Sequence, residues 1–151
     1  MLALALFLAA ATAFPGSSRT SWMRPDSFHL VVGMPRAAVM QTLADRGWEV
    51  KKGDDADQAI VDYTSTKSLT LQFRKDRLHS IRFELFGLSP EVQTAFEEEK
   101  AYLVKEYGAP KPTRSKTTVI YDDRLPNMMA VMTDNGKKGL SLLAVRYFDP
   151  R

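Results

Sequence analysis

The segment Ser89–Gly108 carries the clearest helix signal in the chain, and it limits how the rest can fold. Ser89 can cap the first turn, and Pro90 suits the first helical position because the N–H that it lacks is not needed there. Gly108 is predicted to take the left-handed conformation that ends many helices, and Pro110 prevents continuation. Apolar residues at helical spacing form one stripe that must cover another apolar surface: Val92, Ala95, Phe96, Leu103 and Tyr107.

Two alternating runs directly before this helix predict the surface that it covers. Apolar and polar residues alternate on both sides of a polar turn at residues 75–77. This pattern predicts an antiparallel hairpin with one apolar and one polar face, as expected when helices cover one side of a sheet. The alternating apolar residues are Leu69, Leu71, Phe73, Ile81, Phe83 and Leu85.

The order of elements predicts an α+β fold. A first helix is expected over residues 34–46, with Pro35 at its first position, and strands follow each helix. A weak internal echo, in which Gly-Met-Pro-Arg and Gly-Leu-Ser-Pro each open a helix, suggests two repeats at about 29–86 and 87–149. We therefore expect two tandem α-β-β-β units that form one antiparallel sheet, with both helices packed on one face. The last strand, residues 140–148, is apolar on both faces, which favours an interior position.

Residues 1–13 are apolar and uncharged, and they are too short to span a bilayer, which needs about 20 residues. They end in Ala-Thr-Ala, so we predict a signal peptide cleaved after Ala13 and a periplasmic or secreted protein. No Lys or Arg precedes the apolar run, so either the α-amino group supplies the positive charge or the true start lies elsewhere. A buried N-terminal helix is the alternative. Residues 14–28 are predicted to be a flexible lead-in, and residues 29–151 a single α+β domain.

Composition removes several classes of function. The net charge is +3, and Lys and Arg are scattered along the chain, which argues against nucleic-acid binding. The chain has no cysteine, so disulfides, thiolate metal sites and a cysteine nucleophile are excluded. No cofactor and no metal are expected.

Several side chains could have a catalytic or metal-binding role, and each of them also has a purely structural interpretation. His79 is either a general base or a histidine at the core rim, since it shares strand parity with Ile81 and Phe83. The aspartates of residues 54–57 suggest a calcium loop or, since EF-hand spacing is absent, a solvated turn. The methionines suggest Cu(I) ligands or gap-filling core residues. Residues 97–99 are three consecutive glutamates, predicted to lie on an exposed helix face.

The opening Gly-Met-Pro-Arg of residues 33–36, followed by Val39, Leu43 and Gly47, resembles two known groups. They are the β-lactamase-inhibitor-protein-like domains and the small outer-membrane assembly lipoproteins, and the likeness in element order covers most of residues 30–148. The resemblance implies a sheet that presents a surface to a protein partner, without enzymatic activity. The chain lacks the lipid-carrying cysteine of the lipoproteins and the cysteines of the inhibitors. It also has Pro35 where a capping Ser or Thr is expected, so no docking residue carries over.

The polar face of the predicted hairpin is the leading candidate site. We predict partner binding through Gln72, Arg74, Arg82 and Glu84, because arginine is enriched at interfaces. The expected function is an exported, non-enzymatic protein-interaction module of the cell envelope. The alternative is a carrier of small apolar ligands with a pocket between helix 90–107 and the sheet. A hydrolase that uses His79 with an acidic partner is a third hypothesis.

Overall fold

A computed structural model describes residues 19–121, the backbone of residues 127–131, and residues 139–149. The predicted signal peptide lies outside the described residues. The first part of the predicted lead-in, residues 14–18, also lies outside them.

The described chain has an α+β fold built on a seven-stranded antiparallel sheet, which confirms the predicted class. A short 3-10 helix, Pro25–Phe28, precedes α1 (Arg36–Asp45), and α2 is Ser89–Tyr107. The strands are β1 (Val50–Lys52), β2 (Gln58–Thr64), β3 (Lys67–Arg74), β4 (Arg77–Leu88), β5 (Thr118–Val119), β6 (Asn127–Val131) and β7 (Leu140–Phe148).

The strand order is β1-β2-β3-β4-β7-β6-β5, so two meanders meet where β4 pairs with β7. The last strand is therefore interior, as its apolar pattern predicts. Among the described residues, four strands follow α1 and three follow α2, rather than three after each helix. The division into two repeats stays a prediction. One continuous core contains side chains from both helices and from alternate positions of the strands.

The predicted stripe on α2 is buried except at Tyr107, which is 39% exposed. The ends of the helix also differ from the sequence prediction. Leu88, not Ser89, is the N-cap, and no side chain caps the helix. The Ser89 hydroxyl instead donates to the carbonyl oxygen of Gly139 at 2.6 Å, and it lies 2.7 Å from the hydroxyl of Ser141. Ser89 thereby ties the start of α2 to β7. At the other end Gly108 has φ 80° and ψ −162°, which is not left-handed helix but still favours glycine.

The N-terminal segment is part of the core, so the predicted flexible lead-in is wrong for residues 20–28. Met23 is fully buried, Phe28 is 2% exposed and Trp22 is 7% exposed. Trp22 stacks on Tyr63 with ring centroids 5.5 Å apart, and both Trp22 and Phe28 lie 5.9 Å from the ring of Phe83. Trp22 and Phe28 show no regular spacing in the sequence, because they lie in a turn and a short 3-10 helix rather than in a long helix or a strand.

A β-bulge changes the face predicted for His79. The register pairs Phe73 with Leu78 and Gln72 with Ser80, which leaves His79 as the extra residue on β4. Leu78 therefore takes the buried position, and His79 is half-buried. The sequence prediction assigned His79 to the same face as Ile81 because side chains alternate along a strand. The alternation is interrupted at the bulge, so that assignment does not hold.

Arg36 joins the start of α1 to two turns of the sheet. Pro35 is the N-cap rather than the first helical residue, so α1 begins one residue later than its predicted capping pattern implies. The Arg36 backbone N–H donates to the carbonyl oxygen of Asp76 at 2.9 Å, and its guanidinium lies 2.8 Å from the Asp76 carboxylate and 2.5 Å from that of Asp57. The guanidinium also lies 4.5 Å from the ring centroid of Phe73. One side chain thus holds the β1–β2 and β3–β4 turns together.

We expect Arg36→Ala to lower the free energy of unfolding by about 1–2 kcal/mol, since it removes two exposed ion pairs and a cation–π contact. Urea unfolding in low and high salt measures this, and the loss should shrink in high salt. Arg46→Ala is the matched control, because Arg46 is exposed at the other end of α1. An equal loss in both variants would contradict this role for Arg36.

Candidate functional site

A polar cleft of about 340 Å³ lies on the sheet face that carries the polar residues of β3 and β4. The structure brings three of the four predicted partner-binding residues together there: Gln72, Arg82 and Glu84. Sequence reasoning missed three others, because the cross-strand partners of β3 and β4 are not visible in the sequence. They are Asp54, Gln58 and Arg146.

Two arginines lie directly opposite each other in the cleft. The register pairs Arg82 on β4 with Arg146 on β7, and Thr70 on β3 is opposite Arg82 on the other side. Directly opposed like charges destabilise a sheet, so this pair has a cost in the free protein. Glu84 offsets part of it, since its carboxylate lies 2.7 Å from Nε of Arg82. Arg146 is exposed, and its guanidinium lies 5.3 Å from the ring centroid of Phe148.

Arg74, the fourth predicted residue, is not in this cleft. It ends β3 and lines a separate cavity of about 270 Å³ with Lys75, Arg77, His79 and Asp149. His79 and Asp149 are joined there through their backbones, since the Asp149 N–H donates to the carbonyl oxygen of His79 at 3.0 Å. Arg74 therefore lies outside the cleft that holds the other three predicted residues.

The polar face becomes apolar toward the end of β4. Residues 82, 84, 86 and 88 share one face of the strand, because alternate side chains point the same way. On that face Phe86 is 43% exposed and Leu88 is 51% exposed. Their partners on β7 are Leu142 and Leu140. An exposed apolar end thus lies on the same sheet face as the arginine pair.

An apolar groove of about 510 Å³ lies between the first turns of α2 and the end of β4. The groove forms because β4 runs on through Phe86, Gly87 and Leu88 after its last pairing with β3, at Leu85 opposite Lys67. Helix α2 then folds back over the uncovered strand end. Its lining is Arg19, Thr66, Lys67, Leu85, Phe86, Gly87, Leu88, Glu91, Val92, Ala95 and Leu140.

Glu99 contradicts the predicted exposed glutamate face, since it is fully buried on α2. Its carboxylate lies 3.4 Å from Nη2 of Arg24, whose guanidinium stacks 3.4 Å above the ring centroid of Tyr102. Burial raises the pKa of Glu99, although a hydrogen bond from Thr20 and the charge of Arg24 oppose this. The pair attaches the N-terminal segment to α2.

The aspartate turn forms no metal centre in the described part of the chain. The side chains of Met128, Met129 and Met132 lie outside the described residues. Asp57 is paired with Arg36, and the Met34 sulfur accepts a hydrogen bond from the Val31 N–H at 3.1 Å. Met40 is 38% exposed, so it does not fill the core as predicted. Within residues 19–121 and 139–149, no three His, Asp or Glu side chains gather as they would around a metal ion.

No helix among the described residues combines the length and the apolar character needed to cross a membrane. Comparisons with models of protein families, with curated proteins and with solved structures find no match to this chain. The resemblance to the inhibitor-like and assembly-lipoprotein domains therefore stays a prediction.

We expect Glu99 to give the protein a specific pH dependence. Because the folded pKa lies above its ordinary value of 4.5, the stability that Glu99 contributes is fully present below that value. It is lost as the pH rises through the folded pKa. The free energy of unfolding of the wild type, minus that of Glu99→Gln, should therefore fall as the pH rises above 4.5. Urea unfolding from that pH upward measures the difference.

The matched control is Glu98→Gln, one residue earlier on the same helix. It removes one carboxylate of α2 without changing the buried pair, so an equal effect in both variants would indicate a general charge effect. If the Glu99→Gln difference stays flat over the same range, the carboxylate does not titrate as its burial requires.

Proposed function

We propose that this protein is an exported, non-enzymatic protein-interaction module of the cell envelope, and that its partner docks on the arginine-bearing face of the sheet. The observation that carries the proposal is the direct opposition of Arg82 and Arg146 beside the exposed Phe86 and Leu88. The apolar, uncharged residues 1–13 support export.

The chemistry of the face indicates what the partner presents. A carboxylate placed between Arg82 and Arg146 would relieve their repulsion and could accept paired hydrogen bonds from either guanidinium. An apolar side chain of the partner would cover Phe86 and Leu88, which together expose apolar area at one end of the face. We therefore propose a partner segment in which an acidic side chain lies close to an apolar one. The chain's net charge of +3 favours an acidic partner.

We expect the double variant Arg82→Glu/Arg146→Glu to lower recovery of the partner by about tenfold or more, since arginine anchors at interfaces commonly contribute more than 1 kcal/mol each. Crosslinking in the intact envelope, followed by mass spectrometry, identifies the partner and measures its recovery. Circular dichroism checks that the variant is folded.

Arg74→Glu is the matched control, because Arg74 lies outside the cleft at the end of β3. Its partner recovery should equal that of the wild type. Unchanged recovery with the folded double variant would remove this face as the docking surface, and an equal loss in the control would indicate a general charge effect.

A second candidate function is a carrier of small apolar ligands, and the groove beneath α2 favours it. Its volume of about 510 Å³ falls within the range typical of small-molecule sites. The groove lies where the alternative hypothesis from sequence places a pocket, between α2 and the sheet.

We expect Gly87→Val to block this groove without unfolding the protein. A Cβ added at Gly87 would meet Val92 at 3.6 Å and Glu91 at 3.7 Å, which are ordinary contacts, so the rest of the new side chain extends into the groove. Lipid-like or aromatic compounds that raise the melting temperature of the wild type should lose this effect in the variant. Thr118→Val, on the edge strand β5, is the control. Equal shifts in both variants would exclude the groove as the binding site.

A further inference from the structure

The apolar groove has a basic rim. Arg19 and Lys67 line it together with a single acidic residue, Glu91. Within the described residues, neither basic side chain has a carboxylate within ion-pair distance. The Lys67 ammonium instead lies 5.5 Å from the ring centroid of Trp22 and 5.8 Å from that of Tyr63. The rim therefore carries positive charge that the described part of the protein does not neutralise.

The apolar and the basic side chains that line the groove come from different elements of the fold. Val92 and Ala95 contribute from α2, and Leu85 and Leu140 contribute from neighbouring strands. Lys67 begins β3, which pairs with β4 on the side opposite β7. Arg19 comes from the N-terminal segment, and its backbone N–H donates to the Glu98 carboxylate at 3.3 Å.

We propose that the groove binds a single-chain anionic amphiphile. Its hydrocarbon chain would lie against the apolar side chains contributed by α2, β4 and β7. Its carboxylate or phosphate head would accept hydrogen bonds from Arg19 and Lys67 at the rim. This inference rests on the carrier function and names its ligand class. A neutral ligand would leave both cations without a counter-ion, and a cationic ligand would be repelled by them.

The test compares ligands that share one chain and differ only in the head. Dodecanoate, dodecyl phosphate, 1-dodecanol and dodecyltrimethylammonium are titrated into the purified protein below their micelle concentrations, with calorimetry as the readout. We expect the anionic ligands to bind about tenfold or more tightly than dodecanol, because hydrogen bonds to charged groups are the strong ones. The ammonium compound should bind most weakly.

Charge-removing variants then locate the head. Lys67→Gln and Arg19→Gln should each reduce the preference for dodecanoate while leaving dodecanol affinity unchanged. Arg74→Gln, remote from the groove, should leave both affinities unchanged. Gly87→Val should weaken all the dodecyl ligands that bind, because it fills the space for the chain.

The outcomes separate this inference from the carrier function. Equal affinity for all heads would overturn the anionic ligand class and leave an apolar carrier. No binding of any dodecyl ligand would overturn both. A dimer in sedimentation experiments that Leu88→Asp dissociates would assign the surface to a second copy. Binding that appears only after Phe14 and Pro15 are both replaced by Ser would assign the groove to the chain's own N-terminal segment. Either result would overturn the proposal.

Discussion

The pairing of β4 with β7 is the interaction on which the rest of the structure depends. It runs from Ser80 opposite Phe148 to Leu88 opposite Leu140, and it joins the two meanders into one sheet. Because its register is continuous, it also determines which side chains meet across the junction. The arginine pair of the cleft is a direct consequence. A slip of one residue would move Arg146 to the buried face and disrupt the core.

The same junction explains why both candidate sites lie around β4. Strand β4 is longer than β3, so its end is paired with β7 on one side and uncovered on the other. Helix α2 begins at once after that end, and the Ser89 hydroxyl ties it to Gly139. The difference in strand length produces the groove, and the exposed Phe86 and Leu88 continue from it onto the polar face.

The core also depends on a segment that has no sequence periodicity. Trp22 and Phe28 pack against Phe83, and Arg24 pairs with the buried Glu99. A buried ion pair is costly to desolvate, so it stabilises poorly by itself. The pair does, however, favour one arrangement of the two elements, because the buried Glu99 carboxylate would lose its partner in any other arrangement. The pair therefore specifies how the N-terminal segment sits on α2.

Regular patterns in the sequence determined the helix stripe of α2, the alternating hairpin, the interior position of β7 and the α+β class, because periods of 3.6 and 2 reflect local backbone geometry. Tertiary structure decided the rest. The bulge at His79, the separation of Arg74 from the cleft, the meeting of Arg82 with Arg146 and the burial of Glu99 depend on contacts between residues far apart in the chain. A local pattern shows which face of an element is apolar, but only the register between elements decides which side chains face each other.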